Sequence, residues 1–203
     1  MRQHQTFYIL GFLTEGFSMR FLLGGVVVVL ILLVVGIGLA LLGFFPTNAN
    51  STPPRFEQQI ATAAFDASME RRAPRVNNPI PPTDENLIDG LKIYTMNCAL
   101  CHGGLDRQPS LVGKSLYPPS PSLILHPLDD PEWHVFYAIR TGVRYTGMPA
   151  WDKTLSESDT WKVTAFLTRV EKLPPAVQDF WQKSAGVAAP AESHEHHDHA
   201  DHK

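Results

Sequence analysis

The 203-residue chain has two cysteines, and they stand together as Cys98-Ala99-Leu100-Cys101 with His102 directly after. Thiols at that spacing lie one helical turn apart. Each can add to a vinyl group on the same porphyrin edge, while the adjacent imidazole swings under the iron. A redox-active cysteine pair shares the spacing but has no need of the histidine, and buried core cysteines need neither. A zinc site would need more ligands of comparable quality. The motif therefore predicts one covalently bound haem c, tethered by Cys98 and Cys101, with His102 as the proximal iron ligand.

A second axial ligand is sought among five methionines. Met1 and Met19 precede a long apolar run, Met69 lies in a connector, and Met96 sits two residues before Cys98 on the segment that delivers the motif. Met148 remains, in Thr146-Gly147-Met148-Pro149-Ala150, where a glycine before and a proline after stiffen a loop that can present a thioether to iron. A lone methionine is more often core packing, and the flanks are what favour ligation here. His126 and His134 are the alternatives, through bis-His ligation.

The elements that must position these groups read as helices. Thr83 before Asp84-Glu85 caps a helix carrying Leu87, Leu91 and Tyr94 into the cysteine motif. Asp130 as cap, Pro131 at the first position and Gly142 past the end bound a second. A third opens at Ser156, carries Trp161, Val163, Phe166, Leu167 and Val170, and stops before Pro174-Pro175. Ala176 to Lys183 adds a short fourth, closed by Gly186. No run alternates as a strand does. The expected fold is all-α: three to four helices around a covalent haem over 83–185, a domain small enough to need the cofactor as part of its core.

Ahead of that domain, Phe21 to Phe45 is 25 residues without a charge. That exceeds the roughly 7–15 residues of a signal-peptide core, so the prediction is an uncleaved transmembrane anchor over 21–45, with 1–20 on the cytoplasmic side. Arg2 and Arg20 precede the span and no basic residue follows until Arg55, which places the N-terminus inside. Met19 is an alternative start. Residues 46–82 read as a Pro-rich linker in which Arg55 to Arg72 forms a helical spacer: Phe56 and Ile60 share a face, while Phe65 lies opposite.

Residues 83–172 resemble a class I cytochrome c domain of the single-haem, membrane-anchored bacterial type. The resemblance rests on Gly90 and Tyr94 before the cysteine motif, on Ile139-Arg140-Thr141-Gly142 before Thr146-Gly147-Met148-Pro149-Ala150-Trp151, and on the aromatic-rich final helix. It implies that the first and last helices cross at Gly90, Tyr94 and Phe166. It also implies that a backbone carbonyl in a Pro-rich loop, here Tyr117-Pro118-Pro119-Ser120-Pro121, holds the second nitrogen of the ligand imidazole. The lysine ring of some soluble cytochromes c is missing. From Asp84 to Lys183 there are 10 Lys/Arg against 12 Asp/Glu, so a strongly acidic partner surface is not implied.

The formal net charge of −3 excludes a general nucleic-acid binder. The expected function is single-electron transport on the outer, periplasmic face of a bacterial cytoplasmic membrane, with no substrate turned over. Its partners would be a membrane oxidoreductase as donor and a terminal oxidase or similar acceptor. Two other readings stand beside the free shuttle. One is a fixed cytochrome subunit of a larger respiratory or photosynthetic complex. The other is metal handling by the disordered tail 186–203, where His194, His196, His197, His199 and His202 alternate with carboxylates.

Overall fold

The computed structural model describes residues 19–187. Met1, Arg2 and the histidines of the tail lie outside them. The chain divides between Asn48 and Ala49 into two units, and every regular element among the described residues is a helix.

The first unit holds α1, Met19–Leu41. Its segment Phe21–Leu41 is long and apolar enough to cross a membrane, about 31 Å at 1.5 Å per residue. The helix stops short of the expected Phe45 for a local reason. Gly43 adopts φ 78°, its N–H bonds to the Ala40 carbonyl, and the Phe44 N–H reaches back to that of Leu39. This paired reversal satisfies two orphan carbonyls and ends the helix.

The second unit is built from α2 (Arg55–Arg72), α3 (Asp84–Asn97), α4 (Ala99–His102), α5 (Leu111–Lys114), α6 (Glu132–Thr141), α7 (Glu157–Leu167) and α8 (Pro175–Val187). The centre is the crossing of α3 and α7. A Cβ on Gly90 would lie 2.3 Å from the Lys162 carbonyl oxygen and 2.9 Å from Phe166 Cβ, so only glycine allows the backbones this close. Leu87, Leu91, Tyr94, Val163 and Phe166 are buried around the crossing. Side chains of this size contribute roughly 1.5–3 kcal/mol each when fully buried. Tyr94 and Phe166 meet with ring centroids 5.7 Å apart. On the far side of α7, Trp161 stacks on Phe136 of α6 at 3.7 Å.

Caps fix the ends. Thr83 Oγ1 accepts from the Asn86 N–H at the start of α3, and Ser156 Oγ accepts from that of Asp159 at the start of α7. Three boundaries differ from the sequence expectation. Pro131, in extended conformation, is the cap residue of α6, so that helix begins at Glu132; the Asp130 carboxylate instead faces His134. α7 ends at Leu167, and hydrogen-bonded turns carry the chain on to Lys172. α8 runs past Lys183 through Gly186 to Val187. It is held by buried Val177 and Trp181, and the Trp181 indole N–H donates to the Leu105 carbonyl at 2.7 Å.

The larger correction concerns α2. It occupies the expected residues but is no free spacer. Met69 and Ala73 are 5% and 7% exposed, and the Asn78 amide after the helix donates to the Trp161 carbonyl at 3.2 Å. Met69 stands four residues after Phe65 and four before Ala73, one stripe on a 3.6-residue period. Phe56 and Ile60, on the opposite face, are each 67% exposed, against 38% for Phe65.

Candidate functional site

α3 delivers the cysteine motif into α4, a single turn in which the N–H groups of Cys101 and His102 both bond to the Cys98 carbonyl. One turn is what sets both sulfurs toward the same side. The turn is fixed from behind. The Tyr94 hydroxyl donates to the carbonyls of Gly103 at 2.7 Å and His102 at 3.2 Å. Gly113 of α5 packs so tightly that a Cβ there would sit 2.0 Å from the Cys101 carbonyl oxygen. Ser110 caps α5 by accepting from the Gly113 N–H, and its hydroxyl donates to the Leu100 carbonyl.

Cys98, Cys101, His102 and Met148 all line one cavity of about 330 Å³, within the roughly 300–1,000 Å³ of ligand and cofactor sites. His102 Nδ1 lies 2.8 Å from the Pro121 carbonyl oxygen and 3.0 Å from Ser120 Oγ. An Nδ1–H donated to that carbonyl leaves the Nε2 lone pair free for a metal. Burial lowers the His102 pKa below its ordinary 6.5, with the Pro121 hydrogen bond opposing, so the ring is neutral at neutral pH. Burial, with a smaller contribution from Cys101, pushes the Cys98 thiol up to about 12.

The loop after α6 also lines the cavity, through Val143, Thr146, Gly147, Met148 and Pro149. Gly142 turns the chain at φ 65°, the Val143 N–H bonds to the Met148 carbonyl at 3.1 Å, and Thr146 Oγ1 accepts from the Met148 N–H while donating to the Val143 carbonyl. Gly147 lies against Leu116, where a Cβ would sit 2.8 Å from a methyl carbon.

Among the alternatives, Met96 and His126 are exposed, and neither lines the cavity. His134 does line it, with Nε2 3.4 Å from Glu70 and Nδ1 3.5 Å from Asp130. Those are ion-pair distances, and the Nε2 approach lacks hydrogen-bond geometry. Met69, which the sequence reading set aside with its connector, also lines the cavity, as does Phe65. The stripe of Phe65, Met69 and Ala73 was the signal for them.

The residues present suit a haem. The thiols, an imidazole with one nitrogen committed to a carbonyl, and a thioether share one largely apolar chamber. Trp151 Nε1 is buried there without a hydrogen-bond partner, a donor suited to a carboxylate on the cofactor edge.

The family model described as cytochrome c oxidase, cbb3-type, subunit III matches residues 85–167, somewhat under half of the chain. No curated protein matches. Among solved structures, a chain of the Kuenenia stuttgartiensis reducing HAO-like protein complex aligns with 24% identity and a TM-score of 0.40, over 51% of this chain and 53% of that one. The chain thus spans about half the length of that relative. The helix crossing at Gly90 and the cysteine–histidine turn both fall inside the matched segment, and residues 85–167 form a c-type cytochrome domain.

Proposed function

We propose that this protein is a membrane-anchored, mono-haem cytochrome c that passes single electrons between respiratory partners on the outer face of a bacterial cytoplasmic membrane. The observation that carries the reading is the convergence of Cys98, Cys101, His102 and Met148 on one cavity, with His102 Nδ1 on the Pro121 carbonyl. Haem supplies a reversible one-electron couple between ferric and ferrous iron. Cys98 and Cys101 would hold the group covalently, their S–H bonds adding across its two vinyl groups. His102, held in one tautomer and ring orientation by the Pro121 carbonyl, would ligate the iron, and Met148 would supply a thioether ligand that favours the ferrous state. With His102 and Met148 both bound to it, the iron would offer no open position to a small-molecule substrate. α1 is the anchor, and the haem domain lies outside.

A second reading is a fixed subunit of an oxidase complex. It draws on the description of the matched family, itself an oxidase subunit. The test is the full-length chain expressed with haem-attachment machinery and extracted in mild detergent. Haem stain that survives denaturing electrophoresis at the monomer mass, and slow carbon monoxide binding by the reduced protein, are expected. Rapid carbon monoxide binding contradicts two protein ligands. On a native gel, a haem band at monomer mass favours the shuttle and one at higher mass favours the subunit. Protease should reach the haem domain in spheroplasts and not in intact cells; cleavage from the cytoplasmic side contradicts the topology.

A further inference from the structure

Helix α2 lies outside the segment matched to the family, yet it contributes Phe65 and Met69 to the lining of the cavity that holds His102 and Met148. It is fastened at both ends. Near its start, the Tyr117 hydroxyl donates to Glu57 Oε1 at 2.8 Å, on the Pro-rich loop that carries Pro121. Near its end, Glu70 pairs with Arg75 at 2.7 Å and faces His134 of α6 at 3.4 Å, while the Arg75 guanidinium lies over the Trp133 ring. The helix thus runs from the loop on the His102 side to α6, with Met69 buried beneath it. A spacer would show none of this.

We propose that α2 is a working wall of the cofactor cavity: Phe65 and Met69 keep water from the haem edge and so hold the reduction potential up, with Glu57 and Glu70 as the fasteners. The physical basis is charge. Ferric haem carries one more positive charge than ferrous haem, so excluding water and its dielectric penalises the oxidised form. Phe65 and Met69 are positioning residues. They act on the couple through solvent access and ligate nothing.

The inference rests on haem occupying the cavity, so haem content is scored first, by denaturing-gel stain and mass. A wild-type chain without haem contradicts the functional reading; haem-loaded variants test the wall. In the full-length protein, Met69→Gln keeps the side-chain volume and admits water. Its potential should fall, and cyanide, which binds transiently opened ferric sites, should bind about tenfold faster. Met69→Leu should restore both and leave the sulfur-to-iron charge-transfer band intact. Phe65→Ala should move both readouts the same way, less far. Wild-type hydrogen exchange gives a readout without substitution: amides 65–72 should be protected as those of α3 are. A wild-type potential and cyanide rate in haem-loaded Met69→Gln, or exchange of 65–72 at free-helix rates, overturns the proposal. Loss of the charge-transfer band in Met69→Leu also overturns it, by making Met69 a ligand.

Discussion

The two walls of the cavity hold their key side chains by different means. On the His102 side, restraint comes from elsewhere in the fold. The Tyr94 hydroxyl from α3, the tight approach of Gly113 from α5 and the Pro121 carbonyl all converge on a five-residue motif. On the Met148 side, restraint is mostly internal to one loop. Thr146 ties Val143 to Met148, and Gly142 sets the turn. The outside help includes the Trp151 N–H to the Ile139 carbonyl, the contact of Gly147 with Leu116, and the packing of Met148 and Trp151 on the core. A wall braced by three elements fails only when the domain fails, whereas a wall braced by its own turn can open alone. The proximal ligand should therefore be the permanent one and the distal ligand the exchangeable one.

The largest effect should come from attacking the braced wall. Gly113→Val drives a side chain into the Cys101 carbonyl, where even a Cβ would lie 2.0 Å away. Overpacking of this kind costs about 1–3 kcal/mol or more, and the turn cannot move without losing the Tyr94 bonds. Denaturant midpoint and haem yield should fall together. A fall in stability with full haem loading would show the turn to be less braced than described.

A smaller, separable effect is expected on the other wall. Gly142→Ala places a Cβ 2.6 Å from the Ala150 nitrogen at φ 65°, a strain of about 1–3 kcal/mol. Haem should stay attached, while added imidazole binds faster to the ferric protein. Loss of haem here would erase the distinction between the walls.

The smallest effect lies behind both walls. Lys162 on α7, hydrogen-bonded to Asp89 of α3 at 2.8 Å, holds the Asp89 carboxyl below its ordinary 3.8, with Lys92 adding and partial burial opposing. A lowered folded pKa contributes stability above pH 3.8 and loses it as pH falls below. Asp89→Asn should cost on the order of 0.5 kcal/mol at neutral pH, for a pair this exposed to solvent. The difference should shrink in urea melts as pH falls below 3.8 and leave both ligands in place; a gap that does not shrink would remove the ion pair as its cause.

What was legible in the sequence tracks the kind of interaction involved. Local chemistry could be read directly: Thr83 and Ser156 as caps, the cysteine–histidine turn, and Gly90 once the resemblance named a helix crossing. The Pro-rich loop was placed, but choosing Pro121 within it needed the fold, because every residue there offers a carbonyl. Long-range packing was not legible. Nothing local says that Trp181 reaches the Leu105 carbonyl, or that α8 runs through Gly186 once that anchor holds it. α2 was misread because its large residues were weighed without Met69. With Met69 and Ala73 included, the inward stripe appears, but only the tertiary structure names its counterpart.

The central claim, that Met148 closes the iron's coordination opposite His102, is tested most directly by the sulfur-to-iron charge-transfer absorption of the oxidised, full-length protein, before and after Met148→Ala. The account predicts the band in the wild type and its loss in the variant, with haem still attached, a lower potential, and a site newly open to added ligands. A band that persists in Met148→Ala would hand the position to Met69, the other thioether in the cavity. A wild type without the band would hand it to His134.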